Sequence, residues 1–515
     1  MKKIFILLAL ITVFQIKAQQ NPVIGYQKIN ELYGGFIHQL DEGDQFGRAV
    51  DSIGDLNNDG VTDIIVGALG DDDGGTNKGA VYILFLNIDG TINHEQKISD
   101  LEGNFAGILD DGDVFGVSVS SIGDLNNDGI ADVAVGAEYD GDEGYWQGAF
   151  YILFLDTNGT VQDYNKITST DIGVITSGTP VLGSDIANIG DLDGDGVVDL
   201  AVGSRRDEDG GSYRGAVWIL FMDTTGAVQS YQKISETQGG LVHTIDHMDW
   251  FGTTLTSLGD LDGDGNTDIA VGASSDDDGG TDMGAVYILF LNSDGTVNHE
   301  QKISATEGNF TASFNANQFF GVEVQAIGDI NWDNKMDIIV GTYGDETNGT
   351  NSGAFYILHL DTDGTVISHQ FYTEGYNDFN GDLDAGDRFG RGLASIGKLG
   401  NTHKLAVGAY YDSDNGGEEK GAVWILSIKG EINTETDVLF KNDINIFPNP
   451  TKNILNVEYR HLLNSAKVSV YNVLGAKLKL DIQYLDNKAV INTSSLQNGV
   501  YFVKFGNLTK QFIKQ

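Results

Sequence analysis

Apolar residues in this chain come in short runs, and the runs return at a fixed interval. Residues 79–86 (Gly-Ala-Val-Tyr-Ile-Leu-Phe-Leu) are apolar nearly throughout, and matching runs stand at 148–155, 215–222, 284–291, 353–360 and 421–428. A run of that length without polar alternation reads as a strand covered on both faces. A shorter apolar segment precedes it at 63–67, with copies at 132–136 and 268–272. After it, a tight turn such as Asp89-Gly90 leads to a more polar segment around residues 94–98. Each unit opens with an aromatic-glycine step at 46–47, 115–116, 251–252, 320–321 and 389–390, with Leu182-Gly183 as a weaker third copy, and a short strand follows the step.

Four short strands per unit, the middle ones covered on both faces, predict an all-β fold of propeller blades packed between neighbours. Six units of about 69 residues predict a six-bladed β-propeller. The sixth unit stops after residues 431–433 and lacks its fourth strand. Ahead of the first unit, however, residues 26–29 (Tyr-Gln-Lys-Ile) copy the fourth-strand segment 231–234. The N-terminal strand is therefore expected to complete the last blade and close the ring without an open edge. An open solenoid is the structural alternative, but it leaves this complementary deficit unexplained.

The loop between the first two strands of each unit carries the candidate chemistry. In the first copy, oxygen-bearing side chains fall at Asp55, Asn57, Asp59 and Asp63, positions 1, 3, 5 and 9 of the loop, and Gly60 occupies the sharp turn at position 6. Position 7, Val61, can lend its backbone carbonyl. Calcium takes six to eight hard oxygen ligands, and alternate residues of such a loop point oxygens inward. The first aspartate recurs in steps of 69, 67, 69 and 69 residues. The second copy reads Asp124, Asn126, Asp128, Ile130, Asp132, and the third Asp191, Asp193, Asp195, Val197, Asp199. The fourth reads Asp260, Asp262, Asp264, Asn266, Asp268, and the fifth Asp329, Asn331, Asp333, Lys335, Asp337. Solvated acidic turns do not need one oxygen spacing five times, so about five calcium sites are expected. The fifth copy places Asn334 at the turn, a residue that visits the left-handed region more readily than most. The sixth loop, from Lys398 to Lys404, has lost every carboxylate. No metal is expected there, and Lys398 or Lys404 is read as supplying positive charge instead.

Length and composition add the domain plan. The chain has 515 residues, with 69 glycines, 4 prolines and no cysteine, which means many turns and no disulfide framework. Residues 1–18 have the basic start and apolar core of a signal peptide, and no other stretch is long and apolar enough to span a membrane. The formal net charge is −45, yet from Lys441 onward ten Lys/Arg face four Asp/Glu. The shift marks a boundary, and the expected plan is a propeller over 19–437, a linker over 438–443 and a small β-sandwich over 444–515. An acidic body argues against nucleic acid and anionic membranes as partners.

Two resemblances carry these residues further. The repeat resembles the FG-GAP repeat of integrin α-subunit propellers, through the aromatic-glycine steps and through 66–68, 135–137, 271–273 and 407–409 (Val-Gly-Ala), where the proline is absent. That family implies calcium in the strand-linking loops and adhesion as a role. Integrin propellers have seven blades where six are counted here, and this chain has no Arg-Gly-Asp. The tail resembles the type A sorting domain of the type IX secretion system, through 446–450 (Ile-Phe-Pro-Asn-Pro), 468–475 (Val-Ser-Val-Tyr-Asn-Val-Leu-Gly) and 496–504. It implies handling by the type IX secretion machinery, export across the outer membrane, and a location that is secreted or on the outer cell surface.

Catalytic signatures are missing: there is no thiol, no His-Glu-x-x-His and no phosphate-binding glycine loop. Carboxylate pairs abound, which keeps an acid–base glycosidase open on residue type. The places where the repeat breaks are Tyr145-Trp146, Arg205-Arg206, His243 with His247 and Trp250, and residues 376–387. All fall in blade-connecting loops, where ligand contacts are expected. Oxygens also alternate along 378–384, which suggests a further calcium loop. The reading is a non-catalytic binding protein for an extracellular protein or glycan ligand. The alternatives are a polysaccharide lyase or hydrolase, and a structural surface-layer component.

Overall fold

Each of the six long apolar runs becomes the third strand of a blade. The computed structural model describes residues 22–173, 178–399, 402–414, 418–430, 444–459, 468–472, 477–485, 488–505 and 508–515. The expected signal peptide and the 438–443 linker lie outside the described residues. Among those residues there is no helix. The chain falls into two compact units, divided between Glu431 and Ile432.

The first unit is a six-bladed propeller. Blade 1 is β2 (Phe46–Gly54), β3 (Asp63–Ala68), β4 (Ala80–Leu86) and β5 (Ile92–Ile98). Blade 2 is β6 (Val119–Gly123), β7 (Asp132–Ala137), β8 (Ala149–Leu155) and β9 (Val161–Thr168). Blade 3 is β10 (Leu182–Gly190), β11 (Asp199–Ser204), β12 (Ala216–Met222) and β13 (Val228–Ile234). Blade 4 is β14 (Phe251–Gly259), β15 (Asp268–Ala273), β16 (Ala285–Leu291) and β17 (Val297–Ile303). Blade 5 is β18 (Val324–Gly328), β19 (Asp337–Thr342), β20 (Ala354–Leu360) and β21 (Val366–Tyr372). Blade 6 takes β22 (Phe389–Leu399), β23 (Thr402–Ala409) and β24 (Ala422–Lys429), and its fourth strand is β1 (Val23–Ile29). β1 runs antiparallel to β24, from Val23 opposite Ile428 to Ile29 opposite Val423. The expected closure is what the chain does.

Glycines let the blades touch. The amide of each Phe-Gly aromatic, or of Leu182, donates to the segment before the third strand of the preceding blade: Phe115 to Lys78, Leu182 to Gln147, Phe251 to Arg214, Phe320 to Met283, Phe389 to Ser352, and Phe46 to Lys420. The last of these closes the circle. Gly47 sits at φ +90, and a Cβ there would lie 2.4 Å from the Ala422 carbonyl oxygen. On the second strand, a Cβ on Gly272 would lie 2.1 Å from the Gly321 oxygen of the next blade. Backbone approaches backbone too closely for any side chain, which is the physical content of the recurring Phe-Gly and Val-Gly-Ala elements. Hydrophobic core fills each gap between successive blades, as in the cluster of Val81, Ile83 and Phe85 from blade 1 with Val133, Val135 and Tyr151 from blade 2. Burial on both faces explains why β4, β8, β12, β16 and β20 are buried at every position.

The second unit has two four-stranded sheets. One is β25 (Ile444–Phe447), β26 (Ile454–Tyr459), β30 (Lys488–Asn492) and β29 (Ile482–Leu485). The other is β28 (Lys477–Leu478), β27 (Val468–Asn472), β31 (Gly499–Phe505) and β32 (Leu508–Lys514). Leu455, Val457, Ala489 and Ile491 from the first meet Val468, Val470, Val503 and Phe512 from the second in a shared core. This is the small β-sandwich expected from alternation.

Candidate metal centres, channel and aromatic face

Consecutive strands of an antiparallel blade alternate direction, so the five acidic loops all open at one end of the ring and the loops between second and third strands at the other. Each acidic loop is shaped by its own carboxylates. Asp55 accepts the amides of Asp59 and Gly60 at 2.8 Å each, Asn57 accepts Asp59 at 2.9 Å, and Asp59 accepts Val61 at 2.9 Å. The same pattern recurs at Asp124, Asn126 and Asp128, and at Asp329, Asn331 and Asp333. In the loops from Asp191 and Asp260, the first aspartate takes the amides of Gly194 and Gly196, or of Gly263 and Gly265. Position 6 is left-handed throughout, including Asn334 at φ 64, and so is position 4.

Position 9 is the anchor. Asp63, Asp132, Asp199, Asp268 and Asp337 each begin a second strand and are buried to 1% exposure or less. Asp63 accepts the amides of Leu56 at 3.0 Å and Leu86 at 3.1 Å, tying the loop to the third strand. The carboxylates of Asp132, Asp199 and Asp268 do the same with small shifts, whereas Asp337 accepts the Ile330 amide at 2.9 Å and faces the ring nitrogen of His359, on the third strand, at 3.1 Å. Burial, with the position-5 or position-3 carboxylate alongside, pushes Asp63 and Asp199 up to about 6 and Asp132 and Asp268 up to about 7; Asp337 is raised as well. Carboxylate oxygens of Asp191, Asp193 and Asp195 lie within 4.8 Å of one another, as do those of Asp260, Asp262 and Asp268. Converging hard oxygens are a donor set that fits a calcium ion.

In the sixth blade, Lys398 rests 3.4 Å above the Trp332 ring of the fifth loop, and the Lys404 amine donates to the Ile88 carbonyl of blade 1. Both lysines thus serve as blade-to-blade contacts. Gly400 and Asn401 lie outside the described residues.

A second repeated cluster escaped sequence reasoning. Lys97 bridges Asp71 and Asp73 at 2.8 Å each, beneath the Tyr82 ring. Lys28 with Asp412 and Asp414, Lys166 with Asp140 and Asp142, Lys233 with Asp207 and Asp209, and Lys302 with Asp276 and Asp278 repeat it. The fifth blade has Phe371 opposite Tyr356 where these blades place lysine. The signal was the recurring lysine of the fourth strand, but its partners lie in the acidic turn ahead of the third strand, which for Lys28 is at the other end of the propeller sequence.

Inner strands line a cavity of about 220 Å³, bordered by Asp51, Asp185, Glu323, Gln325 and Thr256. Asp51 accepts the Ser121 amide at 2.8 Å and Asp185 the Leu255 amide at 2.6 Å, stitching neighbouring blades. Arg391 donates to Glu323 at 2.8 Å. Burial raises Asp51 and Asp185 to about 6; burial and Asp185 together push Glu323 up to about 8 despite Arg391.

Of the breaks in the repeat, Arg205, Arg206, Trp250, Tyr145 and Trp146 come together on the face opposite the acidic loops. Arg205 grips Glu138 through two hydrogen bonds, at 3.0 and 2.7 Å, with Trp250 beneath it at 5.3 Å. His243 instead pairs with Glu300 at 2.7 Å, copying His38 with Glu95 at 2.6 Å, and is structural. His94 and His299 stack on Phe85 and Phe290. In the 376–387 segment, Phe379 is fully buried against Phe389 and Trp424, and among the described residues no group of three carboxylates converges there.

The FG-GAP repeat family matches residues 46–84, 115–153 and 251–289, which are blades 1, 2 and 4, and the secretion system C-terminal sorting domain family matches 445–515. Integrin alpha-5 of Xenopus laevis is 32% identical over 294 residues, covering 52% of this chain and 24% of its own. Integrin alpha-6 of Homo sapiens is 37% identical over 155 residues, covering 30% and 12%. Integrin alpha-PS5 of Drosophila melanogaster is 35% identical over 175 residues, covering 33% and 16%. The chain thus spans a quarter or less of these relatives. A crystal structure of an ancestral GH74 enzyme covers 75% of this chain and 42% of its own at a TM-score of 0.40 and 15% identity, a likeness too low to carry an argument. A sorting domain of this family indicates type IX export to the cell surface or secretion, and among the described residues no helix is long and apolar enough to cross a membrane.

Proposed function

We propose that this chain, built of FG-GAP repeats and ending in a type IX sorting domain, is a calcium-stabilised, non-catalytic binding protein that works outside the cell. The observation that carries the reading is the fivefold recurrence of one oxygen set, each closed by a buried aspartate, which in four blades also accepts a third-strand amide. Calcium held there would clamp the first three strands of five blades, in a protein with no disulfide to do so. The residues holding it are the position 1, 3, 5 and 9 side chains and the position 7 carbonyls, and the ion supplies charge compensation rather than chemistry. If each site has the roughly 10⁻⁴ M affinity of extracellular modules, millimolar calcium adds about 1.4 kcal/mol per site, on the order of 7 kcal/mol over five. A rigid ring would then present its variable loops to a protein or glycan.

Calorimetric titration of the calcium-stripped full chain is expected to show about five equivalents bound and a melting temperature raised by many degrees. An unchanged melt in excess chelator would remove calcium from the reading. One observation favours an enzyme instead: one channel gathers Glu323, Asp51 and Asp185, and burial with Asp185 pushes Glu323 up to about 8. Incubation with a polysaccharide panel separates the two, since only a lyase or hydrolase releases unsaturated sugars or reducing ends, and a Glu323→Gln variant would abolish that release.

A further inference from the structure

Six of the seven arginines in the chain belong to the propeller: Arg48, Arg205, Arg206, Arg214, Arg388 and Arg391. All six stand toward the end opposite the acidic loops: Arg48 and Arg391 are buried near the start of first strands, and Arg205, Arg206, Arg214 and Arg388 are on segments that leave a second strand or lead into a third or first one. Among the described residues, Arg205, Arg214 and Arg391 pair with glutamates, whereas Arg48, Arg206 and Arg388 have no carboxylate within ion-pair distance. In a chain with 75 acidic side chains against 30 basic ones, that is a marked exception. Arg206 is held by rings instead, 5.9, 5.5 and 5.8 Å from the centroids of Tyr139, Trp146 and Tyr213. Arg388 lies 5.2, 5.6 and 4.1 Å from Tyr343, Tyr410 and Tyr411. A guanidinium laid on aromatic faces keeps its charge and presents N–H groups suited to a planar anion.

The rings are set up at a backbone cost. Two positions per blade are left-handed in all six blades. The residue before each aromatic-glycine step (Gln45, Val114, Val181, Trp250, Phe319, Arg388) has φ of 52–58, and the residue two before each third-strand glycine (Asn77, Trp146, Tyr213, Asp282, Asn351, Glu419) has φ of 48–55. Asparagine fills this conformation most cheaply and does so in two blades. The fold therefore does not require Trp146, Tyr213, Trp250, Phe319 or Arg388 at these places, and bulky residues held in strained conformations mark ligand clamps. Tyr145, 70% exposed, stacks on Trp146 at 4.5 Å and 20°, and Trp146 on Tyr139 at 4.8 Å and 21°; Phe319 and Tyr343 form a second stack at 4.8 Å.

We propose that this face binds an acidic polysaccharide, its carboxylate or sulfate groups on Arg206 and Arg388 and its sugar rings against the two aromatic stacks. Sugar C–H faces pack on the electron-rich faces of aromatic rings, and each bare guanidinium meets an anion. A nucleic-acid duplex would bring many more phosphates toward the acidic body. The inference deepens the binding-protein reading and rests on it.

The test is calorimetric titration of the full chain in calcium with three probes: oligogalacturonate, a sulfated dextran oligosaccharide and a neutral dextran oligosaccharide. At least one anionic probe is expected to bind, at least tenfold more tightly than the neutral one, and the stronger arm tells carboxylate from sulfate. Arg206→Gln and Arg388→Gln should each weaken it about tenfold and Tyr145→Ala severalfold, with melting temperatures unchanged. Asp264→Ala should leave the affinity intact, which separates this face from calcium bridging at the acidic loops. No binding of either anionic probe, equal binding of the neutral one, or affinities indifferent to the arginine variants would overturn the proposal. So would self-association abolished by Arg206→Gln, which would assign the face to a second copy. If it falls while a glycan and protein array still reports a chelator-sensitive ligand, the binding-protein reading stands. Shortening of a probe would instead overturn the non-catalytic reading, and the arginine variants would still score the face.

Discussion

Asp249, two residues ahead of an aromatic-glycine step, shows how far a buried acid is moved in this protein without a metal loop around it. Burial and the neighbouring Asp276 push it up to about 7; Asp44 and Asp387 reach about 7 beside Asp71 and Asp412, and Asp113 about 6. Each keeps one strong bond, such as the Asp246 amide on Asp249 at 2.6 Å. A folded pKa above the unfolded 3.8 means that the stabilising contribution is complete below about pH 4 and is lost as pH rises through 7. Asp249→Asn keeps an acceptor and removes the titration. Thermal melts from pH 5 to 8 should therefore fall less steeply for the variant, with its advantage largest at pH 8; a steeper fall would show that the carboxylate is held ionised. The carboxylates of the metal loops were legible in the sequence because their oxygen spacing repeats. Asp249 and its equivalents were not, since nothing local distinguishes a buried aspartate in an Asp-rich turn from a solvated one.

At the scale of the element, the strands were legible from runs and turns, and the differences lie at the inner edge. β6 and β18 are five residues long and start after their aromatic-glycine steps, where β2, β10 and β14 include them. Pairing there continues irregularly, with the Gly116 amide on Gly136 at 2.9 Å and the Gly136 amide on Ser118 at 3.0 Å. A bulge of that kind depends on contacts across blades that a single strand's pattern does not contain. The glycines themselves are an element-level device, and the sequence marked them only as a motif. Gly272→Ala, whose Cβ would meet an immovable backbone oxygen, is expected to destabilise by about 1–3 kcal/mol, read as a lowered melting temperature. The same substitution at Gly263, which has open space around it but φ +83, should cost less, through backbone conformation alone. Equal losses would mean that blade-to-blade approach is not what the Val-Gly-Ala element protects.

For the whole molecule, ring closure was legible because a missing strand at one end matched a surplus strand at the other. The aromatic face was legible only as scattered breaks in a repeat, because its members come from different blades and gather through the circular order. Removing residues 1–30 should expose the β24 edge. The shortened chain is expected to self-associate on size exclusion and to melt earlier, and a synthetic peptide of residues 22–31 should restore the monomer; a monomeric, equally stable shortened chain would deny β1 its closing role. The pairing of Val23 with Ile428 also has a meaning in time. The strand made first waits for a partner made about 400 residues later, and bringing such distant ends together costs about 5 kcal/mol of chain entropy. Closure is therefore a late event, and a stalled or clipped chain cannot pass for a finished one. For a protein routed out of the cell, the schedule puts completion of the ring after synthesis of the whole propeller, so that threading across a membrane can come first.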